Sequence, residues 1–260
     1  MEIKYHHPFL ICGMIYIRTK LIFIILTLVF ASCNSGTNES KAVPERKVVM
    51  PIDVTITTLE EQRAISPDTI IKRLKDGNKR FTENTITARD HSKLVIAAAA
   101  GQYPKSVVLS CLDSRIPVED VFDKGIGDMF VARNAGNIVN EDLLGSMEFA
   151  CKISGAKLIL VMGHSSCGAI KSAIDDVKIG NITAMLAKIK PAVALSGSFE
   201  GEKNSKNEPY TDVVSKNNIL HSIETIRLQS PILKEMLDKG EIKMVGAYYD
   251  IKSGVVTFLE

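Results

Sequence analysis

The sequence has no large excess of charge of either sign. Its 32 Lys and Arg residues nearly balance 30 Asp and Glu residues, and the formal net charge is +2. It also has no basic cluster interleaved with aromatic residues, the pattern that binds a phosphate backbone, so the sequence predicts no nucleic-acid partner. With 45% hydrophobic and 24% charged residues, the 260-residue chain has ordinary globular statistics. This excludes disorder throughout and allows one sizeable core.

The sequence has little that could span a membrane. Its N-terminal apolar run, residues 21–30, is shorter than the about 20 residues that a bilayer core requires, which disfavours the alternative of a single uncleaved membrane helix. Arg18 and Lys20 precede the run and small residues follow it, as in a bacterial secretory signal. Cys33 comes next and resembles the lipidated cysteine of a lipobox. We therefore expect residues 1–33 to be a signal peptide, and the protein to be exported to the cell envelope or periplasm and anchored to a membrane through a lipid on Cys33.

The rest of the N-terminal region predicts a tether. Met14 opens a more typical signal than Met1 does, so both starts of translation stay open. Asn34 to Lys41 is rich in Ser, Asn and Gly, which is typical of a flexible linker. We expect a tether at residues 34–65 and a folded domain at residues 66–260.

Cysteine is scarce, and its spacing is too irregular for a small disulfide scaffold. Cys111 and Cys167 lack the close Cys-x-x-Cys spacing of redox pairs, which argues against the alternative of a thiol redox protein. Metal ligation would explain why these two residues form no disulfide in an exported protein, because a coordinated thiolate is held away from oxidants. Cys151 lies in a predicted helix, where we expect it to pack in the core.

Apolar runs predict the strands of one sheet. Lys105 to Cys111, Asp128 to Arg133 and Lys157 to Met162 have the uninterrupted apolar character of parallel strands covered on both faces. The segments Ile242 to Tyr249 and Val255 to Leu259 predict a hairpin at the sheet edge. We therefore expect an α/β fold with a mostly parallel β-sheet flanked by helices and an antiparallel edge strand near the C-terminus.

Helical spacing and capping residues predict the elements between the strands. Six helices are expected, at residues 69–81, at 92–100, at 143–153, from Cys167 or Gly168 onward, at 183–195, and at 217–237 with a break near Ser230 and Pro231.

Two short segments carry soft metal ligands directly after predicted strands. Cys111 ends the first strand, and His164 and Cys167 follow the third. Ligands gather at the carboxyl ends of strands in open α/β sheets, so these three residues meet if the two strands are neighbours. Zinc prefers sulfur and nitrogen ligands in tetrahedral geometry, and three protein ligands leave a fourth position for water. A zinc hydrolase or hydratase is the leading hypothesis.

The same segments resemble the bacterial β-class carbonic anhydrases. The similarity lies in Cys-x-Asp-x-Arg at residues 111–115 and Gly-His-x-x-Cys-Gly at residues 163–168. It extends over most of the domain from Ser66 onward, including Gln102 ahead of the first strand and the run at residues 133–137. The family fold is a parallel α/β sheet assembled into obligate dimers or larger oligomers, so the resemblance implies a homodimer or tetramer of this chain.

The resemblance implies one Zn²⁺ per chain and a role for each site residue. Zinc would be bound by three ligands: Cys111, His164 and Cys167. The implied reaction is reversible hydration of carbon dioxide to bicarbonate and a proton, by zinc-hydroxide attack. Asp113 would orient the hydroxide, and Arg115, by pairing bidentately with Asp113, would hold that carboxylate off the metal. Gln102 would bind a substrate oxygen, commonly across the subunit interface.

Two alternatives keep the metal and change the function. In a closed structural zinc site, Asp113 stays on the metal and the domain is a non-catalytic module; Arg115 argues against this, since a structural site needs no partner that displaces a carboxylate. In the other, the enzyme hydrolyses a sulfur analogue of carbon dioxide.

Overall fold

The structure, a computed structural model, describes residues 56–259. The predicted signal peptide at residues 1–33, with Met14 and Cys33, lies outside the described residues, as do residues 34–55 of the predicted tether.

The described residues form five β-strands: β1 Ser106–Cys111, β2 Met129–Asn134, β3 Leu158–His164, β4 Lys243–Tyr249 and β5 Val256–Leu259. The helices are α1 Leu59–Ala64, α2 Pro67–Thr82, α3 His91–Ala98, α4 Val118–Val121, α5 Glu141–Glu148, α6 Gly168–Ile174, α7 Gly180–Ala187, α8 Lys190–Leu195, α9 Glu208–Gln229 and α10 Pro231–Asp238. A 3-10 turn at Ala135–Asn137 follows β2, and a π-helical turn at Phe149–Ile153 follows α5.

The strands form one mixed sheet in the order β2-β1-β3-β4-β5. The first four are parallel to their neighbours, and β5 pairs with β4 in the antiparallel direction. Every residue of β1 and β3 is buried, because helices cover both faces of the central strands. The predicted mostly parallel sheet with an antiparallel edge strand is confirmed.

Alternate side chains of β1 enter two apolar layers, one on each face of the sheet. Val108 packs in the layer that contains Leu74 of α2. Val107 and Leu109 pack in the opposite layer, which contains Met147 of α5. These two layers fix the carboxyl ends of β1 and β3, where the predicted metal ligands lie.

The packed part of the chain begins before Ser66. Thr58 and Glu61 form a capping box at the start of α1. The buried side chain of Gln62 donates hydrogen bonds to the carbonyls of Pro104 at 2.7 Å and Ser154 at 2.8 Å. The last residues of the segment predicted as a tether therefore belong to the folded unit.

Three predicted helices differ in detail from the observed ones. The helix predicted at residues 143–153 is α5 followed by the π-helical turn. The one predicted at residues 183–195 is two helices, α7 and α8, and Pro191 lies in the first turn of the second. The break predicted near Ser230 is present, but α9 begins at Glu208, ahead of the predicted start at residue 217, because Pro209 fits the first turn of a helix.

None of the helices between residues 56 and 259 is long and apolar enough to cross a membrane.

Candidate metal centre

Three buried side chains meet at the carboxyl edge of the sheet. Cys111 is the last residue of β1, His164 is the last residue of β3, and Cys167 is the N-cap of α6. The sulfur atoms of Cys111 and Cys167 are 4.0 Å apart. The three ligand atoms all lie within 4.8 Å of one another. The condition that β1 and β3 be neighbours is met, and their pairing brings together residues that are far apart in sequence.

The cluster fits a tetrahedral zinc ion. Zn–S bonds of about 2.3 Å at tetrahedral angles separate two sulfurs by roughly 3.8 Å, close to the observed distance. Nδ1 of His164 lies 2.9 Å from the carbonyl oxygen of Ser165. This contact assigns the ring proton to Nδ1 and leaves Nε2 as the ligand atom. Nε2 is buried and has no hydrogen-bond partner among the described residues, which fits an atom that would bind a metal.

The two thiols of the cluster shift each other's pKa in opposite directions. The hydrogen bond from Cys167 lowers the pKa of the Cys111 thiol to about 4, and contacts with His164 and the backbone N–H of Gly136 assist, against the opposing effect of burial. The same hydrogen bond raises the pKa of Cys167, and burial adds to the rise. A divalent cation would favour release of the protons of both thiols, because the thiolate is the form that binds a metal.

Gly136 supports the first ligand from the turn that follows β2. Its N–H donates to Sγ of Cys111 at 3.3 Å. The residue has a φ of 74°, and a Cβ atom there would lie 2.8 Å from Cδ1 of Ile189. Glycine adopts this conformation without strain, and a Cβ atom would force the buried Ile189 side chain to shift. Sequence reasoning included Gly136 in the resemblance but did not find this contact.

Asp113 lies beside the cluster in a bidentate ion pair with Arg115. Nε and Nη2 of Arg115 donate to Oδ1 and Oδ2 of Asp113 at 2.9 and 2.7 Å, and the backbone N–H of Arg115 donates to Oδ1 at 3.0 Å. These hydrogen bonds lower the pKa of Asp113 to about 2. Oδ2 of Asp113 is 4.0 Å from Nε2 of His164. An ionised carboxylate is therefore held next to the three ligands.

Arg133 fixes the loop that carries this pair. From the end of β2, its Nε donates to the carbonyl of Cys111 at 3.0 Å, and its Nη2 donates to the carbonyl of Asp113 at 2.6 Å. Sequence reasoning placed Arg133 in the resemblance without a role. A basic residue at the end of a neighbouring strand was the available signal.

Gln102 lies far from the cluster of its own chain. It is exposed and precedes the amino end of β1, whereas Cys111 is at the carboxyl end. It lines a cavity with Arg63 of α1 and Ile153. One chain therefore does not bring Gln102 to the other predicted site residues. Cys151 is also outside the cluster, and burial raises the pKa of its thiol to about 12, as suits a core residue.

Comparison with known proteins identifies the family. The family model for carbonic anhydrase matches residues 106–256, which include all three ligands of the cluster. The chain belongs to the carbonic anhydrase family. It is 31% identical over 192 residues to carbonic anhydrase 2 of Mycobacterium tuberculosis, covering 70% of this chain and 88% of that protein. It is 29% identical over 191 residues to the carbonic anhydrase of Pseudomonas aeruginosa, covering 71% of this chain and 86% of that one.

Solved structures agree on the β-class carbonic anhydrase fold. The β-carbonic anhydrase CcaA superposes with a TM-score of 0.59 at 27% identity, over 74% of this chain and 95% of that chain. Tetrameric β-carbonic anhydrases of Sordaria macrospora superpose with the same TM-score at 23% identity, over 74% of this chain and 97% of theirs, which supports the fold. Gln102 lies ahead of the residues that the family model matches.

Proposed function

We propose that this carbonic anhydrase hydrates carbon dioxide reversibly to bicarbonate and a proton, with one Zn²⁺ per chain held by Cys111, His164 and Cys167. The observation that carries the proposal is the buried Nε2 of His164, without a partner in the described residues, within 4.8 Å of two sulfur atoms and beside an ionised carboxylate. When bound, zinc supplies Lewis-acid activation of water at neutral pH.

Asp113 is the residue proposed to orient the attacking water. A carboxylate has about four acceptor positions, and three hydrogen bonds from Arg115 occupy two on Oδ1 and one on Oδ2. The remaining position is on Oδ2, which is the oxygen 4.0 Å from Nε2 of His164. Asp113 thus keeps one acceptor on the side of the cluster, and its low pKa keeps that acceptor free of a proton at neutral pH.

Arg115 favours an open site over the closed structural alternative. Its bidentate pair holds both oxygens of Asp113 in place, so that the carboxylate is not free to become a fourth ligand. A fourth protein ligand would stabilise a purely structural site, and the pair of Asp113 and Arg115 would have no role there.

We propose that a second copy of the chain supplies Gln102. The apolar side chain of Phe149 is 53% exposed in a groove of about 700 Å³ along the edge strand β2, and that of Ile153 is 71% exposed in the cavity that Gln102 lines. Such an apolar face on a sheet edge is typical of a protein–protein interface. A homodimer or tetramer would cover it. We expect Gln102→Ala to lower kcat/KM about 100-fold, as for the loss of one donor to a developing oxyanion.

Mixing variants tests whether Gln102 acts across the interface. Gln102→Ala and Cys167→Ser are each expected to have little activity. Dimers reassembled from both chains would regain activity if Gln102 acts in trans, because one site of the mixed dimer then has an intact metal cluster and an intact glutamine. No recovery in mixed dimers that are shown to form would contradict the proposal.

We also propose that the enzyme is exported and anchored through a lipid on Cys33, on the strength of the charged start, short apolar run and small residues of its N-terminal sequence. Mass spectrometry of the mature N-terminus and membrane fractionation test this. An unmodified Cys33 on protein found only in the cytosol would contradict it.

The main test is stopped-flow carbon dioxide hydration by the full chain before metal removal, after it, and after zinc is restored. We expect activity to disappear with the metal and return with it. Cys167→Ser should lose both metal and activity, whereas Cys151→Ser, the matched change at a buried cysteine outside the cluster, should retain both. A fully metal-loaded but inactive protein would favour the closed site, and turnover of carbon disulfide instead would favour a sulfur substrate.

A further inference from the structure

A cationic cavity lies at the amino end of β1, the opposite end of the strand from the metal ligand Cys111. Its volume is about 200 Å³, and it is formed by α2, the loop before α3, the start of β1 and the loop after α4. Charged residues dominate its lining: Arg73, Arg80, Arg89, Lys105, Lys124, Asp123 and Asp128. Five cations against two carboxylates leave an excess of three positive charges in one small space.

Both carboxylates are already occupied by other cations of the lining. Asp123 is buried and pairs with Nε of Arg80 at 2.6 Å and with Nη1 of Arg89 at 2.7 Å. Asp128 pairs with Nζ of Lys105 at 3.2 Å and accepts a hydrogen bond from the loop backbone. These pairs form the walls of the cavity and do not neutralise its remaining charge.

Of the five cations that line the cavity, Arg73 and Lys124 have no carboxylate at ion-pair distance within residues 56–259. They are neighbours, since Nζ of Lys124 lies 3.5 Å from the carbonyl oxygen of Arg73. Burial lowers the pKa of Lys124, so an anionic neighbour would stabilise its charged form. Two cations without a carboxylate at ion-pair distance therefore line the same cavity.

We propose that this cavity binds a small, doubly charged oxyanion of the phosphate class, held by Arg73 and Lys124. Guanidinium and ammonium groups form their strongest hydrogen bonds with such oxyanions, and a dianion would offset most of the excess charge. The proposal does not rest on the proposed catalytic function, because none of the residues that line the cavity belongs to the metal centre.

Isothermal titration calorimetry of the full chain with inorganic phosphate, at fixed ionic strength, tests the proposal. We expect saturable binding to the wild type and roughly tenfold weaker binding to Arg73→Gln and to Lys124→Gln, the loss of one charge-assisted hydrogen bond each. Both variants should fold, since neither side chain takes part in the Asp123 or Asp128 pairs. Lys72→Gln removes the same charge one residue away on α2, where the side chain is 75% exposed, and should bind as the wild type does.

Each other result overturns the proposal. Equal binding by all four proteins would place the anion elsewhere, for example at the metal centre. Equal weakening in Lys72→Gln would indicate an effect of net charge alone, and the absence of saturable binding would mean that there is no site. A parallel titration with bicarbonate identifies the anion: tighter binding of bicarbonate than of phosphate, lost in the same two variants, would overturn the assignment to a dianion.

Discussion

Replacing Arg115 by glutamine removes the guanidinium that holds Asp113 beside the metal centre. Two of the three hydrogen bonds from Arg115 to this carboxylate come from its side chain, at 2.9 and 2.7 Å, and only the backbone one at 3.0 Å is independent of it. The pKa of Asp113 should rise from about 2 toward the ordinary 3.8. It stays far below 7, so Asp113 remains charged at neutral pH but is no longer held in place.

A released Asp113 has a ligand position within reach. Its Oδ2 is already 4.0 Å from Nε2 of His164, so a side-chain rotation can bring the carboxylate to the metal and exclude water. We expect Arg115→Gln to retain about one zinc per chain and to lose about 10–100-fold in kcat/KM, the usual effect of removing a group that orients a metal site. Stopped-flow hydration and metal analysis on the same preparation measure the two quantities.

Arg115→Lys is the matched control, because it keeps the charge and loses the bidentate geometry. We expect its activity to lie between those of the wild type and Arg115→Gln. Wild-type kcat/KM in metal-loaded Arg115→Gln would refute the reasoning, and so would loss of the metal, since the pair is not argued to hold zinc.

Three further predictions concern stability. Asp123→Asn should lower the free energy of unfolding by about 3 kcal/mol in urea titrations, because it leaves Arg80 and Arg89 without their carboxylate partner; a loss below 1 kcal/mol would contradict this. Burial alone would raise the pKa of Asp123, but these partners lower it to about 2. The ionised carboxylate should therefore contribute roughly 2 kcal/mol to the free energy of unfolding, in full above pH 3.8, and this contribution should be lost as the pH falls through about 2. Asp123→Asn should not show this loss. Gly136→Ala should destabilise the protein by more than Gly240→Ala, a glycine with a φ of 70° and no atom near its Cβ position, since only Gly136 adds crowding to backbone strain; equal thermal shifts would contradict this.

The strands could be predicted because their signal is local. The residues of β1 and β3 are apolar without interruption, and this pattern alone indicates a strand buried on both faces. The cluster of Cys111, His164 and Cys167 could be predicted from the same strands, since each of these residues ends one of them or comes a few residues after it. The order β2-β1-β3 is a matter of pairing between distant segments, which no local pattern encodes.

The parts that sequence reasoning did not find depend on tertiary contacts. Helix α1 is polar, and its place in the fold rests on the two backbone carbonyls that accept hydrogen bonds from Gln62. The π-helical turn at Phe149–Ile153 differs from an α-helix only in which carbonyl each N–H reaches. The contacts of Gly136 and Arg133 with the Cys111 segment arise only when β2 lies beside β1.

The position of the ligands on two strands has a consequence for the order of folding. Cys111 and His164 end neighbouring strands that β2 separates along the chain, so the two residues meet only when β3 docks on β1. The centre therefore consists of contacts with a high sequence separation, which form late because loop closure must come first. A metal ion that binds the completed sheet and not the open chain shifts the folding equilibrium toward the native state. Zinc uptake during refolding should thus coincide with the docking of β3 on β1, and a chain that ends before β3 would have Cys111 but no metal centre.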